Sequence, residues 1–226
     1  MSPGSNADVL TQLVRDARPD ESAVCGEQPA EQPTHRTLTG QRHTGLALPT
    51  TVSDMGIATE LLRTSWEASG LRLQQRCDGL TDDEYFWSPV PDAWTVKPDP
   101  YRPGRWTYDY DFAPPPPAPV TTISWRLVHI IADNEIYWEY AFGPGRRTFP
   151  DLEVPQSARQ AMEGWWESRR PISRWLGWAT DADLAEPRPS HLGDPRTAGE
   201  VVRILLDEQT HHGAEIALLR DLYLRR

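Results

Sequence analysis

Lysine is almost absent: Lys97 is the only one among 23 basic residues, and the others are Arg. No folding rule asks for this, and it reads as coding bias in a GC-rich genome of the actinobacterial kind. Cysteine is scarce as well. Cys25 and Cys77 cannot build a disulfide framework, and no CxxC pair is present. A reducing cytoplasm is therefore the expected location. No run approaches ~18 consecutive apolar residues, which argues against a membrane-spanning helix. No basic segment followed by an apolar run opens the chain, so a secretory leader is not expected. Positive charge is outweighed, with Lys+Arg 23 against Asp+Glu 33 and a net charge of -10. Nucleic-acid phosphates and anionic membranes call for clustered positive charge, so neither is an expected partner.

Aromatic residues are missing from positions 1–54, which are rich in Gly, Pro, Ser, Thr, Asp and Glu. Apart from one short helical turn at Val9, Leu10, Leu13 and Val14, this stretch reads as a disordered extension. Met55 stands where patterned sequence begins, and would serve as an alternative start. The rest differs sharply: most of the 38% apolar content and all ten Trp lie there, enough for a core despite a mean hydropathy of -0.61. With 226 residues, one domain plus the extension is expected, since domains run to ~100–200 residues. The domain is placed at 55–226.

Four helices are expected. The first begins near Asp54, which can cap it, and runs to Cys77, with Gly70 weakening its middle and Gly79 ending it. Leu80 to Glu84 makes a turn or short helix. The second runs over 122–142, capped by Thr121 or Thr122 and ended by Gly143-Pro144-Gly145. It is apolar nearly all round and so expected to be central. The third starts near Pro155 and reaches about Leu176, with Pro171 kinking or shortening it. The fourth runs from Thr197 to Tyr223. Residues 86–120 are a long connection dense in Pro and aromatics, read as a lid packed on the core, with Pro114 to Pro117 as polyproline II. Residues 180–196 read as a polar link. No strand alternation is evident. The expected class is all-α, a four-helix bundle with one long crossover.

The fourth helix carries Asp207-Glu208-Gln209-Thr210-His211-His212-Gly213-Ala214-Glu215. At ~100° per residue, Glu208 and His212 lie within about 40° of each other. They sit within an apolar stripe of Val201, Ile204, Leu205, Ile216 and Leu219, so they need partners. The second helix offers His129, with Asp133 one turn on. If the two helices touch, His129, Glu208 and His212 converge, and two His with one carboxylate suit a borderline divalent ion. The plainer readings stay open: a surface Glu–His pair, a satisfied core histidine at His129, ordinary salt-bridge partners at Asp133 and Glu215, and a flank position for His211. The Trp set reads as packing, Cys77 as a small buried apolar residue, and Arg146-Arg147 as a solvated loop or an anion contact.

Thr121-Thr122-Ile123-Ser124-Trp125-Arg126-Leu127-Val128-His129-Ile130 and Thr210-His211-His212-Gly213-Ala214-Glu215-Ile216-Ala217-Leu218-Leu219-Arg220-Asp221-Leu222-Tyr223 resemble the two signature segments of the DinB-like superfamily. The resemblance spans about 55–224. It implies a DinB-like four-helix bundle holding a divalent metal between helices. Many members use three His, whereas Glu208 replaces the first of the two on the fourth helix. The His, Glu, His set is similar to the mycothiol-dependent maleylpyruvate isomerase branch. It implies His129, Glu208 and His212 as metal ligands, with zinc expected and nickel as the alternative. Asp133, Glu215 and His211 are the candidate catalytic residues.

Three functions follow as expectations. The first is metal-dependent activation of a low-molecular-weight thiol, such as mycothiol, for transfer to an electrophilic small molecule. The second is hydrolysis with a metal-bound water. The third is a non-catalytic binding or stress-response module. The family often pairs as dimers, and exposed Trp would serve a homodimer interface.

Overall fold

The computed structural model describes residues 56–111 and 113–226. Asp54 and the whole 1–54 segment lie outside the described residues. Four long helices form the body: α1 (Ile57–Cys77), α3 (Ile123–Phe142), α4 (Ala158–Leu176) and α6 (Ala198–Tyr223). Two one-turn helices, α2 (Asp82–Tyr85) and α5 (Asp181–Leu184), sit in the connections. Helix α6 packs on α1 and α3, and α4 packs on α3 and α1. So α1 and α3 lie across one diagonal, α4 and α6 across the other, and the expected all-α bundle is what forms. None of the described helices is long and apolar enough to cross a membrane.

Helix ends follow their caps. Thr122 starts α3, its hydroxyl accepting from the Trp125 N–H. Thr197 and Glu200 form a reciprocal capping box on α6, as do Thr81 and Glu84 on α2. Two helices start later than expected. Pro155 precedes α4, which opens at Ala158 because the Ser157 hydroxyl accepts from the Gln160 N–H at 3.2 Å. Helix α1 begins after Gly56, whose φ of 93 is a glycine conformation. Among the described residues, no neighbouring side chain caps it. Instead the remote Asp181 carboxylate accepts from the Thr59 N–H at 2.8 Å and the Thr59 hydroxyl at 2.9 Å. Pro171 does not shorten α4, which continues to Leu176. Both Pro171 and Glu167, whose carbonyl loses its helical donor, are exposed, so the unpaired carbonyl is open to solvent rather than buried.

Two short hairpins correct the expectation of no strands. In the first, β1 (Val96–Pro98) pairs antiparallel with β2 (Trp106–Tyr108). In the second, β3 (Pro187–Ser190) pairs antiparallel with β4 (Gly193–Thr197). They are too short and too rich in Pro to show a period of two. Residues 114–117 belong to neither a helix nor a strand. The first hairpin is built onto the start of α3. The Trp94 N–H donates to the Val120 carbonyl and the Thr122 N–H to the Trp94 carbonyl, each at 2.9 Å. The Trp125 indole N–H donates to the Asp109 carbonyl at 2.7 Å.

The core has two main parts. One gathers Leu73, Tyr85, Ile123, Leu127, Trp165 and Ile216, and the other Trp66, Ile172, Leu176, Val202 and Leu205. Buried Gln209 joins them, accepting from the Trp165 indole and donating to the Trp66 carbonyl. Gly70 is a contact requirement rather than a weak point. A Cβ there would stand 2.4 Å from the Arg169 guanidinium. That group is buried against the Trp66, Trp165 and Trp166 rings and bonds to the Trp66 carbonyl and Glu67.

Ala is better than Gly in a helix by ~1 kcal/mol, but overpacking costs ~1–3 kcal/mol. A Gly70→Ala variant should therefore lose stability on the order of 1 kcal/mol, and thermal unfolding should show a Tm lower by about 2–4 °C. A higher Tm would mean that Arg169 moves aside freely. Burial pushes the Cys77 thiol up to about 12, so the native chain at pH 8 should leave Cys77 unalkylated by iodoacetamide. Peptide mapping should find it labelled only after denaturation.

Candidate metal centre

Helix α3 presents Arg126, His129 and Asp133 at three- and four-residue spacing, which puts them on one face. Helix α6 presents Glu208, His211, His212 and Glu215 toward that face. The two helices pack in opposite directions, so Arg126 meets Glu215 while His129 meets Glu208. Glu208 is the hub. Its Oε2 lies 3.4 Å from His129 Nε2 and 3.1 Å from His212 Nε2. One donor atom from each of His129, Glu208 and His212 lies within 4.8 Å of the other two. Ligands about 2.1 Å from a tetrahedral zinc stand about 3.4 Å apart. The two Glu208 distances match the edges of such a tetrahedron. The donors, two imidazoles and a carboxylate, are those that zinc accepts. The three expected ligand residues are thus brought together and fit a divalent cation.

The neighbours divide by which nitrogen they address. Glu215 Oε2 lies 2.6 Å from His212 Nδ1, the nitrogen turned away from Glu208. That is the place of an orienting carboxylate, holding the ring so that Nε2 faces the cluster. Asp133 is different. Its Oδ2 lies 3.3 Å from His129 Nε2, on the cluster side of the ring. It does not complete the mutual set of three. His211 stands outside, half-exposed, its Nε2 3.3 Å from Glu215 Oε1. Arg146 and Arg147 are engaged by the chain itself. Their backbone N–H groups donate to Glu139, and the Arg147 side chain pairs with Glu135.

Electrostatics follow from this packing. Burial works against the charge of Glu208, but hydrogen bonds from His129 and His212 outweigh it and hold the carboxyl well below the usual range. Asp133 goes the other way. Burial pushes it up to about 6, with His129 opposing and Glu208 adding to the rise. Burial also lowers His129, yet the charges of Asp133 and Glu208 prevail and raise it. Burial, then the Asp133 charge, pushes the Tyr137 and Tyr110 hydroxyls up.

Two further residues at the cluster, Trp125 and Arg126, are not singled out by ligand spacing. Trp125 stacks on His129 with ring centroids 4.9 Å apart, tying the first hairpin to a ligand residue. Arg126 Nη1 lies 2.9 Å from Glu215 and 3.0 Å from His212 Nδ1. The signal for Arg126 was present, since it precedes His129 by three residues on the same face.

Residues 105–216 match the family model described as the DinB superfamily, a span that includes every residue of the cluster. Together with the helical bundle, the match supports a likeness to the DinB superfamily over that span, a family associated with divalent metal. No curated protein matches the chain.

Elemental analysis should find a divalent metal with the purified protein, and a Glu208→Ala, His212→Ala variant should lose it while circular dichroism keeps the helical signal. Glu215→Gln should weaken metal affinity ~10–100-fold in a chelator competition. An unchanged affinity would show that Glu215 does not orient His212.

Proposed function

We propose that the chain is a metal-dependent enzyme that activates a low-molecular-weight thiol for transfer to an electrophile. The observation that carries this reading is the three-donor set from two helices, with both Glu208 distances at tetrahedral-edge length and, among the described residues, no fourth side chain in the mutual group. Three protein ligands with a corner left for an exogenous group is the catalytic arrangement of zinc rather than the structural one. When bound, such an ion favours the deprotonated form of a thiol or water.

The chain's own residues would do the rest. His129, Glu208 and His212 supply the donors. Glu215 holds the His212 ring in orientation. Asp133, buried on the cluster side of His129, offers a carboxylate oxygen beside the reaction space. The Trp125 ring covers one face of His129 and the half-buried Tyr137 stands near Asp133 and Glu208, surroundings of low polarity in which charge interactions are stronger. The thiol reading draws on the likeness of the His, Glu, His order to the isomerase branch, and mycothiol suits an actinobacterial source. A cytoplasmic enzyme acting on small molecules, as a homodimer, is the setting this implies.

The zinc-loaded protein should consume free thiol, mycothiol being the probe, only when an electrophile with a leaving group, such as a chloronitroarene, is added, the C–S bond forming as chloride departs. Chelator treatment should abolish the reaction and added zinc restore it. Ester or amide hydrolysis without thiol consumption would replace this reading by the metal-bound water one. A metal-loaded chain inactive in both assays would favour the binding module.

A further inference from the structure

We propose that Arg126 takes the place of a second cation on the outer side of His212 and so keeps the centre mononuclear. The inference rests on the metal-centre reading above. His212 belongs to two donor groups, one on each ring nitrogen. The inner group is His129, Glu208 and His212. The outer group is His211, His212 and Glu215, whose donor atoms also lie within 4.8 Å of one another. By ligand type the two are alike: two imidazoles and one carboxylate. On ligand chemistry alone the outer group would hold a divalent ion as readily, with the imidazole of His212 bridging the pair and its Nδ1 proton passing to solvent.

What distinguishes the outer group is a positive charge supplied by the chain. Arg126 Nη1 stands 2.9 Å from Glu215 Oε2 and 3.0 Å from His212 Nδ1, so it touches two of the three donors. It is no loose surface group. Its side chain is 17% exposed, and the guanidinium lies 5.4 Å from the Trp125 ring centre. Its position on α3, one turn before His129, fixes it against α6 by the same packing that forms the inner group. A guanidinium keeps its charge at any physiological pH, and it occupies the Glu215 oxygen nearest Nδ1. A divalent ion would have to displace it or sit against it. The Nδ1 edge is thereby reserved for the Glu215 hydrogen bond that orients the ring, and Nε2 is left for the inner group.

The test is zinc stoichiometry. The full-length chain is equilibrated with excess Zn²⁺, desalted and analysed for metal and protein, with circular dichroism as the check on folding. The wild type should hold one equivalent at this centre. Arg126→Ala, and Arg126→Gln as a longer neutral variant, should each hold one more than the wild type. Arg126→Lys, which restores the charge, should return the count to the wild-type value. So should Arg126→Ala combined with His211→Ala. Either neutral variant, folded and holding no more zinc than the wild type, would overturn the proposal. An extra equivalent that survives the His211→Ala change would do the same, because the ion would then sit elsewhere. A wild type with no zinc would overturn the metal-centre reading itself, a result distinct from these.

Discussion

The structure turns on one carboxylate. Glu208 receives an imidazole from its own helix and another from α3, and the second contact exists only while α3 and α6 stay in register. A slip of one turn, about 5.4 Å, would carry His129 beyond reach of Glu208. The apolar contacts on either side set that register. Ile123, Leu127 and Ile216 lie beyond the cluster toward one end, and Val201, Val202 and Leu205 toward the other. The polar group is thus held by a packed frame rather than by its own bonds. That is the expected order of cause, since charges withdrawn from water are expensive to place and cheap to misplace.

The diagonal order of the bundle divides the work. Helices α3 and α6 carry every member of the metal-binding group. Helices α1 and α4 brace them from behind through the Arg169 and tryptophan stack, the Gln209 bridge and the remote Asp181 cap. Each brace joins elements far apart in sequence: Asp181 holds the start of α1, and Arg169 its middle. These contacts give α1, whose own pattern is weak, a fixed seat.

Much of this was legible in the residues. The four helices and a threonine cap at Thr121 or Thr122 followed from periodicity and capping chemistry, whereas the meeting of His129 with Glu208 and His212 followed only on the condition that the second and fourth helices touch, with the ligand set implied by the DinB-like resemblance. Other features were hidden for physical reasons. The strands of the hairpins are three to five residues long and three of the four contain Pro, too short for alternation to register. The cap on α1 comes from Asp181, more than a hundred residues away, so no local signal could show it. Gly70 looked like a flaw because the guanidinium it admits belongs to another helix. Asp133 lay on the predicted face, but only coordinates distinguish the cluster side of an imidazole from its back. Arg126 shares the helical face of His129, but a guanidinium is no metal ligand, so ligand chemistry alone does not single it out.

The crossover between α1 and α3 has a consequence for how such a scaffold diversifies. It is stitched to the start of α3 by the Trp94 backbone pairing, and Trp125 links its hairpin to the His129 ring. The residues between these stitches carry none of the cation's anchoring groups. Loop lengths and side chains can therefore change there while the anchorage beneath stays as it is. Related chains can in this way wear different mouthpieces over one unchanged socket, and selectivity can drift without the underlying reactivity being rebuilt.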